Sequence, residues 1–206
     1  MKTSTSPRVQ RNRQAATQSI LEAARAIMRA EGVAALSMQE LARRMDMRAP
    51  SLYNYFTGKM DIYDALFRIG FSLWKEKAEH AAQSSATFQD EMRNFFEAYF
   101  SFALENPELY QLCFERPVPG FVPSQASLDL SFSILNDAHG RVERYKSELN
   151  TPLTSEQIAD LVIAVAHGLT AMHFANQPHL PLGQGRFGSL IPVALSMLQA
   201  AFIQKG

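Results

Sequence analysis

The sequence contains a single cysteine and no long uninterrupted run of apolar residues. Cys113 alone cannot form an intramolecular disulfide or a cysteine-rich zinc site, and we expect it to be a small buried residue. No apolar run approaches the ~18 residues of a membrane span, and the start, MKTSTSPRVQRNRQ, lacks the apolar segment of a secretory signal. We therefore expect a cytoplasmic protein without a membrane partner.

Motifs that carry catalysis are also missing. The sequence has no nucleophile elbow, no phosphate-binding loop, no dinucleotide fingerprint and no HExxH motif. His167 and His173 are six residues apart, which places them on different sides of a helix and argues against a pair of zinc ligands. We therefore expect no enzymatic activity, no cofactor and no metal site.

The residues that are present suit a helical globular protein. Of 206 residues, 47% are hydrophobic and 19% are charged, which supplies enough apolar surface for a sizeable core. Apolar residues recur at helical spacing, and strand-like alternation is missing. The pattern predicts an all-α protein with helices at about 14–31, 38–45, 49–56, 59–82, 87–105, 107–114, 124–149, 155–176 and 187–204.

Charge is distributed unevenly although the formal net charge is zero. Residues 1–60 contain ten Lys or Arg and four Asp or Glu, so this part carries +6 and the remainder −6. A basic lobe next to an acidic one is typical of a chain that holds a polyanion at one end. Chance segregation of solvated charge would give the same count.

Three segments near the N-terminus predict a DNA-reading unit. Ser37 and Glu40 have the spacing of a capping box, in which the Ser37 hydroxyl accepts the Glu40 N–H and the Glu40 carboxylate reaches back. A short break, residues 46–48, separates this helix from a third that starts at Ala49 and Pro50. Two short helices joined by such a turn, braced by a preceding helix, form a helix-turn-helix.

The third helix has one apolar side and one small polar side. Leu52 and Phe56 share the side that we expect to be buried. The outward side consists of Pro50, Ser51 and Asn54 and is small enough to enter a major groove. Tyr53 and Tyr55 lie on its two edges, where their phenol groups can donate hydrogen bonds to phosphates. An ordinary surface helix with two half-buried tyrosines would show the same pattern. Lys59 favours DNA, because a cation in the first turn of a helix opposes the macrodipole unless an anion binds there.

The stretch from Ile20 to Phe67 resembles the DNA-binding domain of TetR-family transcriptional regulators. The likeness is carried by the runs ILEAARAIMRAEGVAALSMQELARRMDM and RAPSLYNYFTGKMDIYDALF. It implies an all-helical, ligand-responsive homodimer, with a repressor as the expectation, on a pseudo-palindromic operator in double-stranded DNA. By position it implies DNA contacts from Ser37, Arg48, Ala49, Pro50, Ser51, Tyr53, Asn54, Tyr55 and Lys59.

Two positions depart from the family pattern and bear on base preference. Arg48 replaces a small polar cap, so it either reads guanine or binds a phosphate. Ala49 stands where a basic residue is usual and is expected to contact a thymine methyl. An alternative for the whole chain is a helical small-molecule-binding or adaptor protein that keeps this fold without binding DNA.

We expect three parts along the chain. A flexible basic arm covers residues 1–13, a three-helix helix-turn-helix domain covers 14–60, and a helical bundle for ligand binding and dimerisation covers 61–206. The arm carries Arg8, Arg11 and Arg13, and it either enters the adjacent minor groove or is a solubilising tail.

The bundle is rich in aromatic residues, which form a core or line a small-molecule pocket. The segments 106–112 and 166–169 resemble the ligand half of a TetR subgroup named for a Trp-His-Gly signature, with Ala166 in place of the Trp. We expect a small apolar or aromatic effector. The candidate ligand-binding residues are Trp74, Phe96, Tyr99, Phe100, Tyr110, Phe114, Phe132 and His167, the last of which would otherwise be a hydrogen-bonded core residue.

The last two long helices, about 155–176 and 187–204, are apolar over much of their circumference. A bundle needs only one face of each helix for its own core, so the surplus predicts a subunit interface. Gly168, inside the first of them, suggests a position where another helix comes close.

Overall fold

A computed structural model describes residues 6–203, and nearly all regular structure within them is helical. The helices are α1 Pro7–Glu31, α2 Met38–Arg44, α3 Ala49–Leu52, α4 Lys59–Gln83, α5 Phe88–Glu105, α6 Pro107–Tyr110, α7 Gln125–Arg144, α8 Ser155–Asn176, α9 Gly185–Gly188 and α10 Ile191–Phe202. Over these residues no strand forms, and one isolated antiparallel bridge pairs Leu149 with Ile203. The all-α prediction is confirmed.

The predicted loose arm over residues 1–13 is wrong from Pro7 onward, because α1 begins there. Pro7 occupies the first turn of α1, where its missing N–H costs nothing and its fixed φ favours a helix. Arg8, Arg11 and Arg13 therefore lie on a helix. Residues 1–5 of the predicted arm lie outside the described residues.

The third predicted helix is shorter than expected. α3 ends at Leu52 instead of near Phe56, and the chain continues in tight turns. The N–H of Asn54 donates to Ser51 O at 3.3 Å, and the N–H of Tyr55 donates to Leu52 O at 2.9 Å. These i→i+3 bonds are tighter than α-helical ones, and runs of them are short.

Two later helices also differ from their predicted lengths. The helix predicted at 124–149 ends at Arg144 and is followed by a short 3₁₀ turn. The helix predicted at 187–204 is divided into α9 and α10, with Pro192 in the first turn of α10. A proline has no N–H to donate to the preceding turn, which explains the division. Its predicted end at Gln204 lies outside the described residues.

Ser37 caps α2, but only half of the predicted capping box forms. The Ser37 hydroxyl accepts the N–H of Glu40 at 3.1 Å. The Glu40 carboxylate does not return this bond; it accepts from the guanidinium groups of Arg43 and Arg44. Hydrogen bonds from Arg43 and then Arg44 hold the pKa of Glu40 at about 2. Asp46, in the break after α2, has a left-handed φ of 51°, which an aspartate tolerates better than most residues.

The chain divides into two compact units. The first contains residues up to Gly70 together with Pro107–Ser127, and the second contains Phe71–Asn106 and the residues after Ser127. The first unit therefore extends beyond the predicted boundary at residue 60 and takes in α6. Its core consists of residues from α1, α2, α3 and α4, among them Ile20, Ala24, Ile27, Leu41, Leu52 and Leu66.

Polar contacts attach the later segment of the first unit to the earlier one. The side chain of Glu108 is fully buried, and its two oxygens accept from Arg25 and Arg29 at 2.8–3.0 Å. Asp64 accepts the N–H and the hydroxyl of Ser124, which begins the turn into α7. Burial acts to raise the pKa of Asp64, but these hydrogen bonds outweigh it and the pKa is lowered.

The second unit is a helical bundle in which α5, α8 and α10 pack together. α5 and α8 each begin with a complete capping box, Thr87 with Asp90 and Thr154 with Gln157. α5 is buried along one side, and His173 on α8 is fully buried with its Nε2 3.0 Å from Leu180 O.

Gly70 and Cys113 are in close contact within the first unit. A methyl group on Gly70 would lie 2.6 Å from the Cys113 sulfur. Cys113 is 5% exposed, and burial raises the pKa of its thiol far above the ordinary value, which disfavours the reactive thiolate.

We expect Gly70→Ala to destabilise the protein by about 1 kcal/mol, because overpacking outweighs the gain in helix propensity. Cys113→Ala in the same chain removes the clash, and the methyl group introduced at position 70 then fills the space of the sulfur. The double-mutant cycle should show a favourable coupling of about 1–2 kcal/mol in urea unfolding. Strictly additive effects would contradict the contact.

Candidate functional site

α3 and the turn after it form the exposed part of the predicted DNA-reading unit. Leu52 is fully buried and Phe56 is 8% exposed, so the predicted inner side of this helix is confirmed. On the other side, Asn54 is exposed, Ser51 is half-buried and the Tyr53 side chain is 55% exposed. The polar side of α3 is therefore open to a partner.

All the residues predicted to contact DNA have some exposed surface. Ala49, Ser51 and Tyr55 are half-buried, and the exposed ones are Ser37, Arg48, Pro50, Tyr53, Asn54 and Lys59. α2 packs against α3, which keeps Ser37 and α3 on one part of the first unit. Their contact with DNA stays a prediction.

Arg13 holds the end of the α3 turn in place. Its Nη2 donates to the backbone oxygen of Asn54 at 3.1 Å. This contact joins residues 41 positions apart, and the sequence analysis missed it because it assigned Arg13 to a loose arm. Pro7 as a helix start was the signal that could have placed Arg13 on α1.

Carboxylates neutralise half of the arginines of the first unit. Ion pairs occupy Arg25, Arg29, Arg43, Arg44 and Arg68. In contrast, no carboxylate within the described part of the chain lies within 4 Å of Arg48 or Lys59. Asp61 is close to Lys59 in sequence, but its carboxylate accepts the N–H and hydroxyl of Thr57. Among the described residues, Arg48 and Lys59, which precede and follow α3 and its turn in the sequence, thus carry charge that no carboxylate neutralises, as do Arg8, Arg11, Arg13 and Arg116.

The predicted ligand-binding residues are divided between the two units. Trp74, Tyr99 and His167 come together in the second unit: the Trp74 and Tyr99 rings are 5.2 Å apart, and the Tyr99 hydroxyl is 3.0 Å from His167 Nδ1. Phe96 and Phe100 are buried on the same helix as Tyr99.

The remaining three predicted ligand-binding residues are on other elements. Tyr110 and Phe114 belong to the first unit and have rings 5.7 Å apart. Phe132, on α7, is 56% exposed. A role for any of these eight residues in ligand binding stays a prediction.

A different set of residues lines a narrow cleft in the second unit. The cleft lies among α5, α7 and α8 and has about 30 Å³ of free space. Its lining is apolar except for two charged residues, and it consists of Phe88, Glu91, Met92, Phe95, Ala138, Arg141, Val142, Ala159, Val162 and Ile163. None of the eight predicted ligand-binding residues lines this cleft. The available signal was Glu91, an acid on the apolar side of α5.

Comparisons with known proteins match both units of this structure. The sequence profile described as "Bacterial regulatory proteins, tetR family" matches residues 20–66. The profile described as "Tetracyclin repressor-like, C-terminal domain" matches residues 92–187. Together the two profiles match more than two thirds of the chain. The chain belongs to the TetR family. It carries the N-terminal helix-turn-helix of that family, whose members are transcriptional regulators and not enzymes.

Individual TetR relatives are distant. The chain is 33% identical to the uncharacterized HTH-type transcriptional regulator YobS of Bacillus subtilis (strain 168), over 45% of this chain and 48% of YobS. The chain thus spans about half the length of the curated relative that it matches.

Solved structures share the TetR fold over nearly the whole chain. The regulatory protein SCO4313 superposes with a TM-score of 0.76 at 22% identity, covering 93% of this chain and 98% of that one. KstR2 of Mycobacterium tuberculosis, a ketosteroid transcriptional regulator, gives 0.65 at 16% identity, covering 92% and 95%. FadR from Bacillus subtilis, in complex with stearoyl-CoA, gives 0.68 at 16% identity, covering 88% and 96%.

Replacing Arg13 should loosen the turn that follows α3. We expect Arg13→Met to speed amide hydrogen exchange at residues 53–55 by about two- to tenfold, which is the change expected when one exposed hydrogen bond is lost. Arg11→Met is the matched control, because Arg11 is also exposed and makes no hydrogen bond to α3. Equal exchange in the two variants would show that Arg13 does not position this turn.

Proposed function

We propose that the protein is a cytoplasmic repressor that binds a pseudo-palindromic operator as a homodimer and releases it when a small apolar effector binds. The cations that remain unneutralised beside the exposed side of α3 carry this proposal. A surface of Arg48 and Lys59 next to small polar residues suits a phosphate backbone and the base edges of a major groove.

The distribution of ion pairs supports DNA as the partner. An arginine that is paired with a carboxylate must break that ion pair before it binds a phosphate, whereas Arg48 and Lys59 have no ion pair to break. Lys59 also stands in the first turn of α4, where it is unfavourable for the helix on its own and favourable beside a bound phosphate. We infer that Lys59, Tyr53 and Tyr55 hold phosphates.

The second unit exposes a set of large apolar side chains on and next to its last two long helices. Along α8 and α10 lie exposed apolar side chains at helical spacing, with exposures between 41% and 69%: Leu161, Met172, Leu190, Val193 and Met197. An apolar surface of this kind marks an interface. We infer that two protomers pair through α8 and α10.

α8 itself supports this interface. Its most apolar 18-residue window has a mean hydropathy of 1.5, and only 33% of that window is buried in the protomer. By length and composition alone such a helix could also cross a membrane, although the sequence analysis expected no membrane partner. Gly168 lies on the open side, and apart from its chain neighbours and the backbone of its own helix, no described atom would lie within 4 Å of a methyl group at this position. The helix expected to approach Gly168 is therefore one from a second protomer.

Effector binding to the second unit would lower operator affinity through linkage. A ligand shifts an equilibrium only by its differential affinity for two states, so the effector must bind better to the state with weaker DNA contacts. The ketosteroid in the description of KstR2 and the stearoyl chain of the stearoyl-CoA bound to FadR are apolar, which favours an effector with an apolar part here.

Salt dependence tests DNA binding directly. On a duplex chosen by selection from random sequences, we expect Lys59→Gln to lower the slope of log affinity against log salt by roughly one unit for each Lys59 removed. Lys146→Gln is the matched control, since Lys146 has the same charge and a 73% exposed side chain in the second unit. A wild-type affinity that does not change with salt would favour the adaptor alternative.

A charge on the α10 surface should separate the protomers. We expect Val193→Asp to shift the protein to monomers in sedimentation equilibrium, because a symmetric interface buries the new carboxylate twice. Val122→Asp is the control: Val122 is 77% exposed, in the first unit, and its replacement should leave the dimer intact. Dimers of unchanged strength in Val193→Asp would place the interface elsewhere.

A further inference from the structure

We propose that the cleft among α5, α7 and α8 binds a neutral apolar molecule with one hydrogen-bond donor, such as a phenol or an alcohol, and that this donor bonds to Glu91. The proposal names the chemical class of the effector, and its consequence for operator binding rests on the proposed function. Binding itself does not, because it concerns the second unit alone.

Glu91 is the group that requires a ligand with a donor. It is 9% exposed and lies on the inner side of α5 beside Phe88 and Met92. Its Oε1 is 3.0 Å from Arg141 Nε, which forms an ion pair. Its Oε2 is out of contact with solvent, and no donor from the described residues reaches it. A buried carboxylate oxygen without a donor is costly, so a molecule that supplies one gains affinity.

The charge of the cleft selects against ions. Glu91 and Arg141 neutralise each other, and the other lining residues are apolar. An anionic ligand would place a second negative charge beside the free oxygen of Glu91. A cationic ligand would leave the site with a net positive charge in an apolar surrounding, which is also unfavourable. A neutral O–H donor satisfies Oε2 and leaves the site without net charge.

The dimensions of the cleft require side chains to move when a ligand enters. About 30 Å³ of free space holds one or two water molecules, which is less than a phenol needs. Met92 is unbranched and can repack around an irregular occupant. Arg141 lines both this cleft and an open groove that includes Glu79, Gln83, Asn136 and Gly140. A rotation of the Arg141 side chain would therefore change both hollows.

Four probes with one body and different head groups test the donor. In calorimetric titrations of the full chain at neutral pH, we expect 4-propylphenol to bind at least tenfold more tightly than 4-propylanisole, which keeps the oxygen and lacks the donor. Propylbenzene should match the anisole, and 4-propylbenzoate should bind more weakly than both. Equal affinities for the phenol and the anisole, or tighter binding of the benzoate, would overturn the proposal.

Glu91→Gln assigns the preference to this carboxylate. We expect the ratio of phenol to anisole affinities to fall below threefold while propylbenzene binding is unchanged, a result that a general loss of structure would not produce. Should Glu91→Gln fail to fold, the anomalous signal of 4-bromophenol in wild-type crystals locates the ligand, and a bromine outside the cleft would refute the assignment. No DNA is present in these titrations, so their failure leaves operator binding untouched.

Discussion

The ion cluster at Glu108 is the contact on which the first unit depends. This unit is built from two segments that are separated by residues of the second unit, and Glu108 at the start of the later segment binds Arg25 and Arg29 on α1. Its side chain is fully buried, whereas the side chains of Arg25 and Arg29 are 26% and 53% exposed. The arginines thus keep part of their hydration, which lowers the desolvation cost that makes fully buried ion pairs poor stabilisers.

The same cluster decides which charges remain for a partner. A count over residues 1–60 gives an excess of six positive charges but does not show where they act. Glu108 comes from outside that stretch and occupies two of its arginines, and Glu40 and Glu31 occupy Arg43 and Arg44. The positive charge that survives lies beside α3 and on the first turns of α1. The functional charge is therefore set by pairing across the fold more than by composition.

Local patterns in the sequence predict what local physics controls. Helical spacing places Leu52 and Phe56 inside, and the Ser37 hydroxyl caps α2, because each depends on residues within one or two turns. α3 ends early because the residues after Leu52 form i→i+3 turns, which are almost as stable as another turn of α-helix. Helix propensity alone therefore does not predict where α3 ends. The Glu40 carboxylate does not accept the Ser37 N–H, because the two arginines on the next turn are stronger donors than a backbone N–H.

Contacts between distant residues could not be predicted from a single sequence. Arg13 and Asn54 are 41 residues apart, and Glu91 and Arg141 are 50 apart; nothing in the neighbourhood of either member specifies its partner. The aromatic residues chosen as ligand contacts share the same difficulty. Their type shows that they are large and apolar, whereas the packing decides that Tyr110 belongs to one unit and Tyr99 to the other.

The two glutamates that are buried within residues 6–203 differ in the partners of their carboxylate oxygens, and this difference distinguishes a structural role from a binding role. Both oxygens of Glu108 are engaged by arginine, so this carboxylate has no capacity for a ligand. Glu91 has one oxygen near a guanidinium and one without a donor, in a cleft of otherwise apolar residues. An apolar pair of similar volume would often be at least as stable as such an ion pair. Stability alone therefore does not account for Glu91 and Arg141, whereas recognition of a donor does.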